Sequence, residues 1–213
     1  MKLDLKIIDF LAKNPGKEFT INEVSRGLNE YYSQIHKAID KQVKSGVITK
    51  KVVGKSHLCS LNLGNEKALA LLQLAEIEKM EELYSKDKEL KLILEDFIDS
   101  IKPSHVLSIT LFGSHAKGDA GKGSDIDILV VGEGQIKIDK AVRECYAKWG
   151  KEINAIIVTP KGLEKQRDKA LIGEIISNHC VLYGVENFVK LILDGSEGRR
   201  HQVPAKVGGR ERA

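Results

Sequence analysis

Two adjoining stretches decide how this chain is read: Val106-Leu107-Ser108-Ile109-Thr110-Leu111-Phe112, and GSHAKGDAGKGSDIDILVV from Gly113 to Val131. The first is an apolar, β-branched run of strand length. A glycine and a serine close it, a small charged loop follows, and a second apolar run opens at Ile126. Asp125 and Asp127 stand at the head of that run. Alternate strand residues point to opposite faces, so the two carboxylates share one face. Adjacent carboxylates repel, and a fold keeps them most readily around a hard cation such as Mg²⁺, which takes oxygen ligands. Gly113 permits a sharp turn and close approach of a phosphate to backbone N–H groups, and the Ser114 hydroxyl adds a donor. An Asp-x-Asp alone also fits a solvated strand edge. The Gly-Ser pair ten residues upstream and the two flanking strand runs point instead to metal-assisted nucleotide chemistry.

Beyond this segment strand and helix alternate. A helix is expected over about 138–149, a strand over 152–158, helices through about 178, a short strand at Val181-Leu182-Tyr183 and a last helix over 186–193. This is an α/β pattern with a mixed sheet, assigned to 103–195. Residues 65–102 read as a helical connector, broken near Ser85-Lys86-Asp87 and closed by Pro103. Its apolar positions keep no clean heptad, so a plain connector and a homodimer seam both stand. Residues 196–213 are Gly-rich and basic, and read as a disordered tail, with cloning or gene fusion as one origin.

Residues 1–64 carry a different pattern. A helical stripe over 3–13 stops at Asn14-Pro15-Gly16. Thr20 followed by Glu23 reads as a cap opening a second helix. A third helix runs from about Tyr31 to Lys44, with Ile35, Ala38, Ile39 and Val43 inward. Two strand-like runs, 47–53 and 57–61, are joined by Gly54-Lys55-Ser56. Three helices and a hairpin form a winged helix-turn-helix pattern, whose second motif helix enters the DNA major groove. Ser33, Gln34, Lys37 and Lys41 lie off the core stripe of that helix, and Lys50, Lys51 and Lys55 lie in the wing. Ser and Gln can read base edges, while Lys mostly meets phosphate. Double-stranded DNA is therefore an expected partner, although winged helices also serve protein contacts. Gly54-Lys55-Ser56 superficially resembles the end of a phosphate-binding Walker loop, but Thr49 stands where that loop needs glycine.

Charge agrees with this division. The net +4 is uneven: residues 1–64 hold eleven Lys/Arg against six Asp/Glu, 65–195 eighteen against twenty-two, and 196–213 five against two. An anionic polymer is drawn to the ends of the chain, not the middle. No apolar run approaches the roughly 18 residues of a membrane span, so no membrane partner is expected. Charges interrupt the first residues, unlike a signal peptide. Cys59, Cys145 and Cys180 are odd in number and far apart, which suits reduced thiols in the cytoplasm. The six histidines show no paired ligand spacing.

Gly113-Ser114, ten residues, then Asp125-Ile126-Asp127 resembles the signature of the polymerase β-type nucleotidyltransferase superfamily, and most of all its minimal branch. The resemblance spans about 90–185. It implies an NTP-binding fold, with Mg²⁺ on Asp125 and Asp127 as ligands and catalytic residues, and Gly113, Ser114 and Lys117 at the nucleotide. It also implies transfer of a nucleotidyl group, AMP from ATP above all, to a hydroxyl. The pattern departs in one place. Where such proteins carry a third carboxylate on the next strand, this chain has Asn154, and asparagine cannot act as a general base. Glu152 shares the strand face of Asn154, one pleat repeat away. Two readings follow: a Mg²⁺-dependent nucleotidyltransferase fused to a DNA-binding winged helix, or a catalytically degenerate, nucleotide-binding transcription regulator.

Overall fold

The computed structural model describes residues 1–191 apart from 14–16, 55, 102–104, 134 and 167–168. The expectations at Asn14-Pro15-Gly16, Lys55, Pro103 and the tail over 196–213 lie outside the described residues. The chain opens with α1 (Leu3–Ala12), whose Leu5, Ile7, Ile8 and Leu11 are buried. The strand β1 (Phe19–Thr20) leads into α2 (Ile21–Leu28). Thr20 and Glu23 form the expected capping box: the Thr20 hydroxyl accepts the Glu23 N–H at 3.2 Å, and the Glu23 carboxylate accepts the Thr20 N–H at 2.6 Å. Helix α3 (Tyr32–Lys44) buries Ile35, Ala38, Ile39 and Gln42. Strands β2 (Ile48–Val53) and β3 (Ser56–Leu61) pair antiparallel, with Ile48 opposite Leu61 and Val53 opposite Ser56. β1 joins the outer edge of β3, giving the order β1-β3-β2.

Helix α4 (Glu66–Lys86) starts where the Asn65 side chain accepts the N–H groups of Lys67 and Ala68. It stops at Asp87, whose extended backbone leaves the helix and whose carboxylate caps the next one through the Leu90 N–H at 2.9 Å. That next helix is α5 (Lys88–Ile101). The sheet that follows has the order β6-β5-β4-β7. β4 (Val106–Phe112) lies antiparallel between β5 (Ile126–Gly132) and β7 (Cys180–Tyr183). β6 (Ile153–Val158) runs parallel to β5 after the crossover helix α7 (Gln135–Trp149). Side-chain alternation along β5 divides the layers. Ile126, Ile128 and Val130 face α5 and α7, in a core with Leu94, Phe97 and Ile138. Leu129 and Val131 face the other way, against α8 (Pro160–Gln166) and α9 (Ala170–Ser177), through Leu163, Ile172 and Ile175.

The N-terminal helices and the sheet layer share two elements. Ala68 and Leu72 of α4 sit in the N-terminal core, while Met80, Leu83 and Tyr84 pack on the core under the sheet. A last helix, α10 (185–191), returns Val189 to the N-terminal core. Where these meet, Lys79 of α4 bridges Asp9 of α1 at 2.9 Å and Glu76 at 2.8 Å. His179, just past α9, faces Glu76 through Nε2 at 3.2 Å and donates from Nδ1 to the Ile176 carbonyl at 2.8 Å. Glu76 is 2% exposed and Asp9 6%, so these charges lie in a low dielectric. Burial pushes both carboxyls up, but Lys79 and Lys13 beside Asp9, and His179 and Lys79 beside Glu76, outweigh it and hold both below the ordinary carboxylate range. Burial pushes Lys79 down, and Glu76 and Asp9 more than reverse that.

Candidate active site

β4 ends in an extended Phe112, and the chain turns at Gly113 with φ +70°. Instead of the expected loop, residues Gly113–Lys117 form the one-turn helix α6, closed by the N–H groups of Gly118 and Asp119 on the Ser114 carbonyl at 3.0 and 3.1 Å. Gly113 has a second reason to be glycine, since a Cβ there would collide with Oδ2 of Asp127. The turn and the second aspartate are thus one unit. The rest of the segment is tied down by its backbone. The Gly121 N–H bonds the Ser124 hydroxyl at 2.9 Å, and Lys151 donates to the Lys122 carbonyl at 2.9 Å.

Asp125 immediately precedes β5, and Asp127 is its second residue. Ladder pairing sets Asp127 opposite Phe112 on one side and opposite Asn154 on the other. The Asn154 amide nitrogen lies 3.4 Å from Oδ2 of Asp125 and 3.4 Å from Oδ1 of Asp127. Three polar heads from β5 and β6 therefore converge at one end of the sheet, open to solvent. Glu152 lies just before β6, exposed, with its carbonyl accepting the Ile126 N–H at 2.9 Å. It is the Asn154 amide that stands within range of both carboxylates.

Among the described residues no group of three or more His, Cys, Asp or Glu is arranged to hold a metal. The carboxylate pair still suits one hard cation, because Mg²⁺ commonly takes only one or two protein carboxylates and completes its shell with water and phosphate oxygens. Turning the Asn154 amide over offers that ion a neutral oxygen in place of the N–H.

The remaining expected residues fall into two regions. Ser114 is half-buried in α6. Lys117 reaches across to Glu174 of α9 at 2.7 Å, and that hydrogen bond and the glutamate's charge hold the ammonium above its ordinary value. Glu174 was not legible in the sequence, since nothing local marks a partner 57 positions away. In the N-terminal module Ser33, Gln34, Lys37 and Lys41 are exposed on α3. They line an open groove of about 1010 Å³ with Tyr32, His36 and Lys44, none of the three anticipated. Lys41 is paired to Asp4 at 2.8 Å, Lys50 to Asp40 at 2.5 Å and Lys51 to Glu18 at 2.7 Å. Three of the expected cations are thus partly neutralised.

Comparison with known proteins agrees with the geometry. Residues 90–183 match the nucleotidyltransferase domain family. The "Putative protein adenylyltransferase MJ1305" of Methanocaldococcus jannaschii is 33% identical over 119 residues, covering 51% of this chain and 81% of the relative. A second protein of that organism, "Putative protein adenylyltransferase MJ0604", is 31% identical over 96 residues, covering 42% of this chain and 94% of the relative. Among solved structures, a toxin–antitoxin with AMP-PNP aligns with a TM-score of 0.38 and 17% identity, over 55% of this chain and 87% of that one, a likeness too slight to argue from. The turn at Gly113, the carboxylates of Asp125 and Asp127 and the strand that answers them all lie inside the matched segment, and the chain belongs to the nucleotidyltransferase domain family.

Proposed function

We propose that this chain binds ATP with Mg²⁺ at Asp125 and Asp127 and is an attenuated adenylyltransferase, joined to a winged helix-turn-helix over residues 1–64 that binds double-stranded DNA. The observation that carries the reading is the convergence of Asp125, Asp127 and Asn154 beside the Gly113 turn. The names borne by the two archaeal relatives favour AMP as the transferred group. In the reaction an acceptor hydroxyl oxygen bonds the α-phosphorus, the bond from that phosphorus to the β-bridging oxygen breaks, and pyrophosphate leaves. Bound Mg²⁺ would neutralise charge on the phosphates and orient them. The chain's own contribution is positional. Gly113 leaves the space that Asp127 fills, and the β5–β6 register brings Asn154 to the carboxylates. Ser114 and Lys117 serve the phosphates, Lys117 by exchanging Glu174 for phosphate oxygen.

The acceptor's proton is where this site departs from a full one. A carboxylate beside Asp125 and Asp127 could take it, but the amide of Asn154 cannot near neutral pH. That single residue is also the ground for a second reading, in which nucleotide occupancy tunes DNA binding and the wild type transfers nothing. One experiment separates the two: transfer of label from α-labelled ATP with Mg²⁺, on the wild type and on Asn154→Asp. General-base catalysis contributes about 10²–10⁴-fold, so the substitution is expected to raise transfer by at least about 10². If Asn154→Asp leaves transfer unchanged while ATP still binds, Asn154 is not the attenuating residue. If Asp125→Ala and Asp127→Ala leave Mg²⁺-dependent ATP binding intact, the site itself is misassigned.

A further inference from the structure

Helix α4 is used on one side only. Ala68, Leu72, Ala75 and Glu76 point inward and are buried, Ala68 and Leu72 in the N-terminal core and Glu76 in the charged joint. On the far side Lys67, Ala70, Leu74, Ile77 and Glu81 are all exposed, with Leu74 at 43% and Ile77 at 39%. Their spacing of three, four, three and four residues is that of a coiled-coil seam. Exposed apolar residues scattered singly are normal on a surface. Here they form one stripe, lysine at one end and glutamate at the other, on a helix of about 31 Å.

The arrangement of charge selects the occupant. Lys67 and Glu81 are each seven residues from Leu74. A second copy laid antiparallel, with the two-fold axis through Leu74, sets each Lys67 against the other copy's Glu81. Ile77 then packs between the other copy's Ala70 and Leu74. A parallel pairing sets lysine on lysine and glutamate on glutamate, which is repulsive. The stripe is thus complementary to itself in one orientation, the requirement for an isologous two-fold contact. We propose that α4 is a self-association surface and that the protein forms an antiparallel dimer through this seam. The contact spans only about 20 Å of helix, so the dimer is weak and concentration-dependent. The proposal rests on α4 alone and is independent of the nucleotide site.

Sedimentation of the full chain from about 1 to about 100 μM tests it. The expected mass rises from the 23.6 kDa of one chain toward twice that value. Leu74→Lys with Ile77→Lys holds the mass at one chain, with helicity unchanged and, at about 1 μM where the wild type is also monomeric, melting unchanged. Lys67→Glu and Glu81→Lys each weaken association about fivefold, and the double swap restores it. A wild type that stays monomeric throughout overturns the proposal and leaves the stripe to some other occupant. A Leu74→Lys, Ile77→Lys variant that still dimerises overturns it in favour of a different surface. A double swap that fails to restore association rejects the antiparallel register.

Discussion

Replacing Lys79 by methionine is the most demanding perturbation of this fold. Methionine keeps most of the stem and removes the ammonium that stands 2.9 Å from Asp9 and 2.8 Å from Glu76. Two carboxylates that are almost wholly buried would then face each other, with Lys13 beside Asp9 and the His179 imidazole beside Glu76 as their remaining partners. Breaking a buried ion pair from one side costs about 3–5 kcal/mol. For a chain of this size each kcal/mol lowers Tm by about 2–4 °C, so the fall is roughly 6–20 °C near neutral pH. The pH dependence identifies the cause. In the wild type both carboxyls titrate below their unfolded values, so their stabilisation is present above about pH 4 and lost as pH falls through the lowered folded values. Without Lys79 their folded values move up. The penalty is then full near neutrality and is relieved as acidification protonates them. The gap in Tm between Lys79→Met and wild type, followed by circular dichroism, should therefore narrow between about pH 8 and about pH 5. Adding Glu76→Gln should recover part of the loss at neutral pH, because it removes one stranded charge. A fall under about 2 °C, or a gap that ignores pH, would falsify the joint as a stabilising element.

Gly113→Ala combines a left-handed backbone with a collision at Asp127, so it should cost about 1–3 kcal/mol and also weaken Mg²⁺-dependent ATP binding, read by calorimetry. Alanine tolerated at full affinity would mean that the turn and the carboxylate are independent. Burial pushes the thiols of Cys59 and Cys145 up to about 11 and that of Cys180 up to about 12, so all three should resist a thiol reagent in the native protein and react on unfolding. Lys37→Ala on α3 should weaken duplex DNA binding and reduce the salt slope by about one. An unchanged slope would remove α3 from the DNA face.

How much of this was legible in the chain varies with the distance over which each feature is specified. The strands β4 and β5 were readable because both are dominated by apolar, β-branched residues and are largely buried. The α2 cap was readable because Thr20 and Glu23 interact across three residues. Two short elements escaped. β1 is two residues long, which leaves no alternation to detect, and α6 is a single turn that starts and stops at glycines. Its conformation follows from Asp127 filling the space beside Gly113 and from the Ser114 carbonyl, which accepts the N–H groups of Gly118 and Asp119.

The sequence by itself determined the residue types at the site, the Gly-Ser turn, the two aspartates and the asparagine on the following strand, because each is set by local pattern and spacing. Only the tertiary structure decided what those residues face. The register of the parallel β5–β6 pair, set by a crossover helix and packing on both faces, brings the Asn154 amide within 3.4 Å of both carboxylates. The same long-range packing gives Lys117 to Glu174 and joins Asp9, Glu76, Lys79 and His179 between the two halves. Such pairings join residues tens of positions apart, and side-chain periodicity, which reports only on which face a residue lies, carries no information about which distant residue will occupy the opposite one.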